Sequence, residues 1–164
     1  MASLEEIKKT RLGKLNLLIK KGINPYPTST RRDISCLASV TSFEELVKHG
    51  KSKYMAGRIV SLRAQGKIIF LDFDDGTGRF QALLKKGEPL SPESFELFEE
   101  AFDIGDFIEI KGTFFLTKKN EKTILVEEIS MLSKSLLPLP EKWHGLQDIE
   151  ERFRKRYLDL LSNP

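Results

Sequence analysis

Apolar positions change their period along this chain, and the change divides it. Near the start Ile7, Leu12, Leu15, Leu18 and Ile19 recur close to helical spacing. Ser3 with Glu6 three residues later forms a capping box before the run, and Gly22 stops it. This predicts a first helix. Asn24-Pro25-Tyr26-Pro27 then forces extended backbone, because proline restricts both itself and the residue before it. Ser42-Phe43-Glu44-Glu45 is a second capping box, predicting a short helix that ends at His49-Gly50.

From Tyr54 the period shortens to that of strands. β-branched and aromatic runs separated by Gly, Asp and Asn predict strands over 54–63, 67–73, 79–85, 107–116 and 123–132. Between the third and fourth, Ser91 and Pro92 open a helix with Phe95, Phe98, Ala101 and Phe102 on one face. Five strands with a helix between strands three and four match the five-stranded Greek-key barrel called the OB-fold. A proline-punctuated connector follows, and Asp148 caps a last helix over 149–161. The expected fold class is α+β, divided into a helical extension at 1–51, the barrel at 52–134 and a linker at 135–164.

Alternation in strands two and three fixes which side chains share a face. Ile69, Leu71 and Phe73 alternate with Ile68, Phe70 and Asp72, and Phe80, Ala82 and Leu84 alternate with Arg79, Gln81 and Leu83. A four-residue turn at Asp74-Asp75-Gly76-Thr77 would set Leu71 against Phe80 in the core. Outside, Asp72 would then face Arg79, and Phe70 would face Gln81. OB-folds bind single-stranded nucleic acid across this face, stacking bases on aromatic rings while amides address base edges. A ring covered by a loop or by the N-terminal helices would leave the same pattern. Arg63 could reach this surface, although strand one has apolar residues on both parities and does not assign its face. Glu128 interrupts an apolar run in strand five, where a solvated strand position is the simpler reading from spacing.

Composition narrows the classes further. The 164 residues carry 27 Lys and Arg against 24 Asp and Glu, a net +3, so any nucleic-acid signal must be local. The first helix concentrates Lys8, Lys9, Arg11, Lys14, Lys20 and Lys21, as either an RNA-facing or a merely solvated surface. One cysteine, Cys36, excludes an internal disulfide, and no cluster has metal-ligand spacing. The charged N-terminus lacks the apolar run of a signal peptide or membrane span, which predicts a cytoplasmic protein without a membrane partner. Gly66-Lys67 is not a phosphate-binding loop, and Cys36, His49 and His144 sit in dissimilar contexts. No catalytic centre emerges.

Several segments together resemble the class II lysyl-tRNA synthetases. Arg11-Leu12-Gly13-Lys14-Leu15 through Gly22-Ile23-Asn24-Pro25-Tyr26-Pro27 is similar to that family's opening helix and its GI-x-PYP segment. LLPLPEKWHGLQDIEERFRKRYLDLL resembles the family's LRPLP-x-K-x-HGL-x-D and R-x-RYLDL block, with Leu137 where the family has Arg. The resemblance implies a tRNA anticodon-binding domain that reads a U-rich lysine anticodon loop. Phe70 would then stack on the middle base and Gln81 would bond its edge. Arg63 matches the family's strand-one Arg, and Glu128 its strand-five acid beside a neighbouring base. It also implies a parent lysine ligase, homodimeric, whose catalytic domain holds ATP, Mg²⁺ and lysine. That domain would begin where this sequence stops, so the fragment would have neither catalysis nor cofactor of its own. The exposed-looking stripe of Ile149, Phe153, Tyr157, Leu160 and Leu161 would pack on that domain or on a second subunit. A general single-strand-binding or protein-interaction OB module, unconnected to tRNA charging, is the alternative.

Overall fold

The computed structural model describes residues 3–139 and 148–162. Its elements are α1 (Leu4–Lys20), α2 (Cys36–Thr41), α3 (Phe43–His49), β1 (Lys53–Gln65), β2 (Ile68–Asp74), β3 (Arg79–Lys85), α4 (Pro92–Ala101), β4 (Phe107–Leu116), β5 (Lys122–Ser133), α5 (Ile149–Arg154) and α6 (Arg156–Ser162). The strands close into a barrel in the order β1-β2-β3-β5-β4, with β4 returning to β1. All pairs are antiparallel except β3 with β5.

Inward positions follow the alternation of the sequence. Met55 and Ile59 of β1, Leu71 and Phe73 of β2, Leu84 of β3, Ile108 and Ile110 of β4, and Ile124 and Val126 of β5 are fully buried. Burying each such side chain stabilises the fold by about 1.5 to 3 kcal/mol before entropy is counted. α4 adds Phe95, Phe98 and Ala101 to the same core. From α3, Phe43 meets Phe80 at 6.4 Å and Phe114 edge-on at 6.2 Å, closing the barrel on that side. Where β4 bulges against β5, a Cβ on Gly112 would lie 2.0 Å from the Leu125 carbonyl, so only glycine fits.

The helices partly depart from the expected ones. The α1 capping box forms as expected, with Ser3 Oγ accepting from Glu6 N and Ser3 N donating to Glu6 Oε2 at 2.7 Å. The second box does not form. Ser42 is instead the C-cap of the unforeseen α2, and at φ −99, ψ 21 its side chain makes no capping bond. Helix α2 is capped by Ser35 and held by the β2–β3 turn, where Cys36 N donates to Asp75 Oδ2 and Leu37 N to Thr77 Oγ1. The final helix is two pieces, α5 and α6, broken at Lys155. Asp148 caps the first of them, accepting from Glu151 N. The apolar stripe is exposed among the described residues, with Phe153 at 72%. His144 and most of the HGLQD segment lie outside the described residues.

Two of the basic residues on α1 anchor the helix. Arg11 is buried and donates to the carbonyls of Ile104, Ser135 and Leu137, and Lys14 pairs with Asp103 at 2.6 Å. Asp103 and Asp106 share the buried ammonium of Lys134, at 2.6 and 2.8 Å. The extended segment between α1 and α2 is fixed through Glu109, which accepts from Thr30 Oγ1, Arg31 N and Arg31 Nε.

Burial pushes the Glu109 carboxyl up, but the bonds from Thr30 and Arg31 outweigh it and hold the group below its ordinary 4.5. Asp75 and Asp103 are likewise held below their ordinary 3.8: burial opposes this, and donors from Thr77 and Cys36, or from Lys134 and Lys14, prevail. A depressed carboxylate stabilises fully above its unfolded value and loses that contribution as pH falls through the folded one. Asp106 goes the other way, burial pushing its carboxyl up despite Lys134, so the three depressed groups should show as a decline in melting temperature confined to below about pH 4. A level profile through that range would contradict these assignments.

Candidate nucleic-acid interface

The β2–β3 turn sets the register of the candidate face. Asp74 stays in the ladder opposite Arg79, its Oδ2 3.2 Å from Arg79 Nε, while its Oδ1 accepts from Gly76 N. Asp75 makes a second side-chain turn to Thr77, and Gly76 takes φ +86. The loop is therefore 75–78, one residue later than expected, and the pairing shifts by two. Phe73 faces Phe80, Leu71 faces Ala82 and Ile69 faces Leu84. Asp72 faces Gln81 rather than Arg79, and Phe70 faces Leu83 rather than Gln81. A shift of two preserves parity, so Phe70 and Gln81 still share the outer face, as diagonal neighbours.

Across the sheet these outward residues form two adjoining rows. One runs Arg63–Phe70–Leu83–Leu125 over β1, β2, β3 and β5, and the other runs Ser61–Asp72–Gln81–Thr123 over the same strands. The first presents a half-buried aromatic ring and two half-buried leucines, ended by an exposed Arg. The second is polar throughout. This settles the face of Arg63: a bulge between Ile59 and Ser61 changes the parity of β1 and turns Arg63 outward beside Phe70.

Gln81 is only 9% exposed, and its Oε1 accepts from Thr123 Oγ1 at 2.8 Å. The amide is thereby held in place, and its Nε2 has no partner among the described residues. Arg63 Nη2 lies 3.8 Å from Asp72 Oδ2, the oxygen that also accepts from Ser61 Oγ. A planar ring to stack on, a fixed amide donor and a guanidinium for phosphate or base suit an unpaired nucleotide.

Glu128 falls outside both rows. It faces Lys111, which in turn faces Tyr54, and its carboxylate pairs with Lys111 Nζ at 2.9 Å and Arg31 Nη1 at 3.6 Å. Arg31 also stacks over the Tyr54 ring at 4.4 Å. Glu128 is thus part of the anchor of the segment before α2, five residues along β5 from Thr123, or about 17 Å. Glu121, exposed, precedes Thr123 by two residues, its main-chain carbonyl 3.2 Å from the Thr123 Oγ1 whose proton goes to the nearer Gln81.

Comparison with known proteins joins this geometry to a family. Residues 54–132 match the tRNA anti-codon family, described as an OB-fold nucleic acid binding domain. The chain carries an anticodon-binding OB domain. Around and through that domain it is similar to lysine–tRNA ligases: 46% identical over 155 residues to lysine–tRNA ligase 2 of Methanosarcina mazei, covering 94% of this chain and 30% of that protein. The lysine–tRNA ligase of a Roseiflexus species is 44% identical over 162 residues, 98% of this chain and 33% of its own. That of Syntrophomonas wolfei is 44% identical over 162 residues, with 99% and 32% covered. The chain spans about a third of the length of these relatives.

Among the described residues, no group of three or more His, Cys, Asp or Glu could hold a metal ion, and no helix is long and apolar enough to cross a membrane. Cys36 is buried, and that burial, with Asp75 adding to it, pushes its thiol up to about 12. A thiol reagent at about pH 8 should leave the folded protein unlabelled and react once it is unfolded, which mass spectrometry would read directly.

Proposed function

We propose that the outer face of β2 and β3 reads the unpaired anticodon bases of a lysine tRNA. The observation that carries this is the half-buried Phe70 ring, flanked on its own face by Arg63 and by the fixed amide of Gln81. Phe70 stacks on the middle base, Gln81 bonds its edge, and Arg63 meets the adjoining phosphate or base. Glu128 is assigned to the Arg31 and Lys111 anchor, away from these two rows.

Relatives about three times as long support a larger role. On this reading residues 1–51, 52–134 and 135–164 are a helical extension, the anticodon-binding barrel and a linker toward a catalytic domain in cis. The whole protein is a cytoplasmic, homodimeric lysine–tRNA ligase that uses ATP and Mg²⁺ to activate lysine and transfer it to tRNA. The ligation chemistry and both cofactors belong to that further domain, and this chain supplies recognition. The exposed stripe of Ile149, Phe153, Tyr157 and Leu160 suits packing on it.

Titration with a stem-loop bearing a lysine anticodon, against the same stem with a scrambled loop, tests the reading. The lysine loop should bind more tightly at every salt concentration, while both affinities fall as salt rises. Equal binding of the two loops with a steep salt slope would instead identify a general single-strand binder.

A further inference from the structure

The polar row contains a carboxylate that the anticodon reading leaves without a task. Asp72 lies beside Phe70 on the same face, two residues along β2, and directly across from Gln81. One of its oxygens is engaged: Oδ2 accepts from Ser61 Oγ and sits 3.8 Å from Arg63 Nη2. The other, Oδ1, has no partner among the described residues, and the Asp72 side chain keeps about a third of its surface in solvent. Next to it, Gln81 Nε2 also lacks a partner there. A vacant acceptor and a vacant donor therefore stand side by side at the rim of a stacking ring.

A negative charge on a face that meets RNA costs affinity through phosphate repulsion unless it does something for the bases. An ionised carboxylate only accepts hydrogen bonds, whereas an amide can turn to offer either sense. Ser61 and Arg63 hold Asp72 from the β1 side, so the free oxygen keeps its place. On this basis we propose that Asp72 is a further base-reading residue, whose Oδ1 accepts from a ring N–H while Gln81 Nε2 donates to the adjacent carbonyl. Uracil presents that pair as N3–H and O4. Cytosine stacked in the same pose presents the lone pair of N3 to the carboxylate and is rejected. The proposal rests on the reading of this face as the anticodon interface and adds the residue that makes it selective for a donor-bearing edge.

Fluorescence-anisotropy titrations of the wild-type chain, Asp72→Asn and Asp72→Glu test it. The probes are a stem-loop with a U-rich lysine anticodon and three variants, each with one anticodon U replaced by C. Asn removes the obligate acceptor, and Glu keeps the charge but moves the acceptor by one methylene. At one anticodon position both variants should lower the U-over-C ratio by about tenfold, with the other two positions unchanged. Thermal melts would confirm that both remain folded, and either variant alone suffices if the other does not. An unchanged ratio at every position would overturn the proposal. So would an equal gain in affinity for all four loops in Asp72→Asn alone, the signature of simple phosphate repulsion. A wild-type chain indifferent to all four loops would overturn the anticodon reading itself, which separates the two failures.

Discussion

Replacing Phe70 by Ala weakens binding of a lysine anticodon stem-loop by about 1 to 3 kcal/mol, roughly five- to 150-fold in Kd. The ring is the only aromatic in either row, and the next one on this face, Phe115 opposite Thr123, lies three strands away from it. Truncation should leave the fold intact. Phe70 points away from the core formed by Leu71 and Phe73 and is only half-buried, so the loss of stability should fall well short of the about 3 to 5 kcal/mol of a core Phe. Isothermal titration with a parallel thermal melt separates the two effects. Wild-type affinity in the folded variant would show that the bases stack elsewhere.

The largest loss of stability is expected at the opposite end of β5. Replacing Lys134 by Met removes the only cation in contact with Asp106 among the described residues, and both that carboxylate and the Lys134 ammonium are fully buried. Breaking a buried pair in this way costs about 3 to 5 kcal/mol, because the remaining charge keeps its desolvation penalty without its partner. That is a large fraction of the about 5 to 15 kcal/mol that holds an ordinary domain together. The damage extends to α1, since Asp103 also binds Lys14. Urea unfolding should show a lower midpoint with a cooperative transition retained. Replacing Asp103 and Asp106 by Asn in the same protein should recover part of the loss, because the uncompensated charges are then gone. A Lys134→Met midpoint equal to the wild type would mean that water already reaches the cluster.

Much of this fold can be read from local sequence, and the misses have identifiable causes. Strands announce themselves because each buries one face fully, so Ile69, Leu71 and Phe73 alternate with the half-buried Ile68, Phe70 and Asp72. The turn was misplaced because Asp74 and Asp75 are adjacent and each can form a side-chain turn; the ladder pair of Asp74 with Arg79 decides between them. Helix α2 has only six residues and depends on Asp75 and Thr77, distant in sequence, to hold its first turn. Local periodicity cannot show such contacts.

The candidate site was legible in part for the same reasons. Parity alone put Phe70 and Gln81 on one face, and a register error of two could not change that. The extension of the rows to Leu125 and Thr123 depends on the parallel pairing of β3 with β5, a non-local contact without a sequence signature. Bulges made Arg63 and Glu128 harder to place. One in β1 turns Arg63 toward Phe70, and another in the β4–β5 ladder accompanies the pairing of Glu128 with Lys111.

Backbone amide shifts in an isotope-labelled sample, followed while the lysine anticodon stem-loop is added, locate the RNA-binding face. The largest changes should map to Arg63, Phe70, Asp72, Gln81 and Thr123, with Tyr54, Lys111 and Glu128 little affected. Changes concentrated at Tyr54, Lys111 and Glu128, or along α1, with the β2–β3 face silent, would contradict that placement.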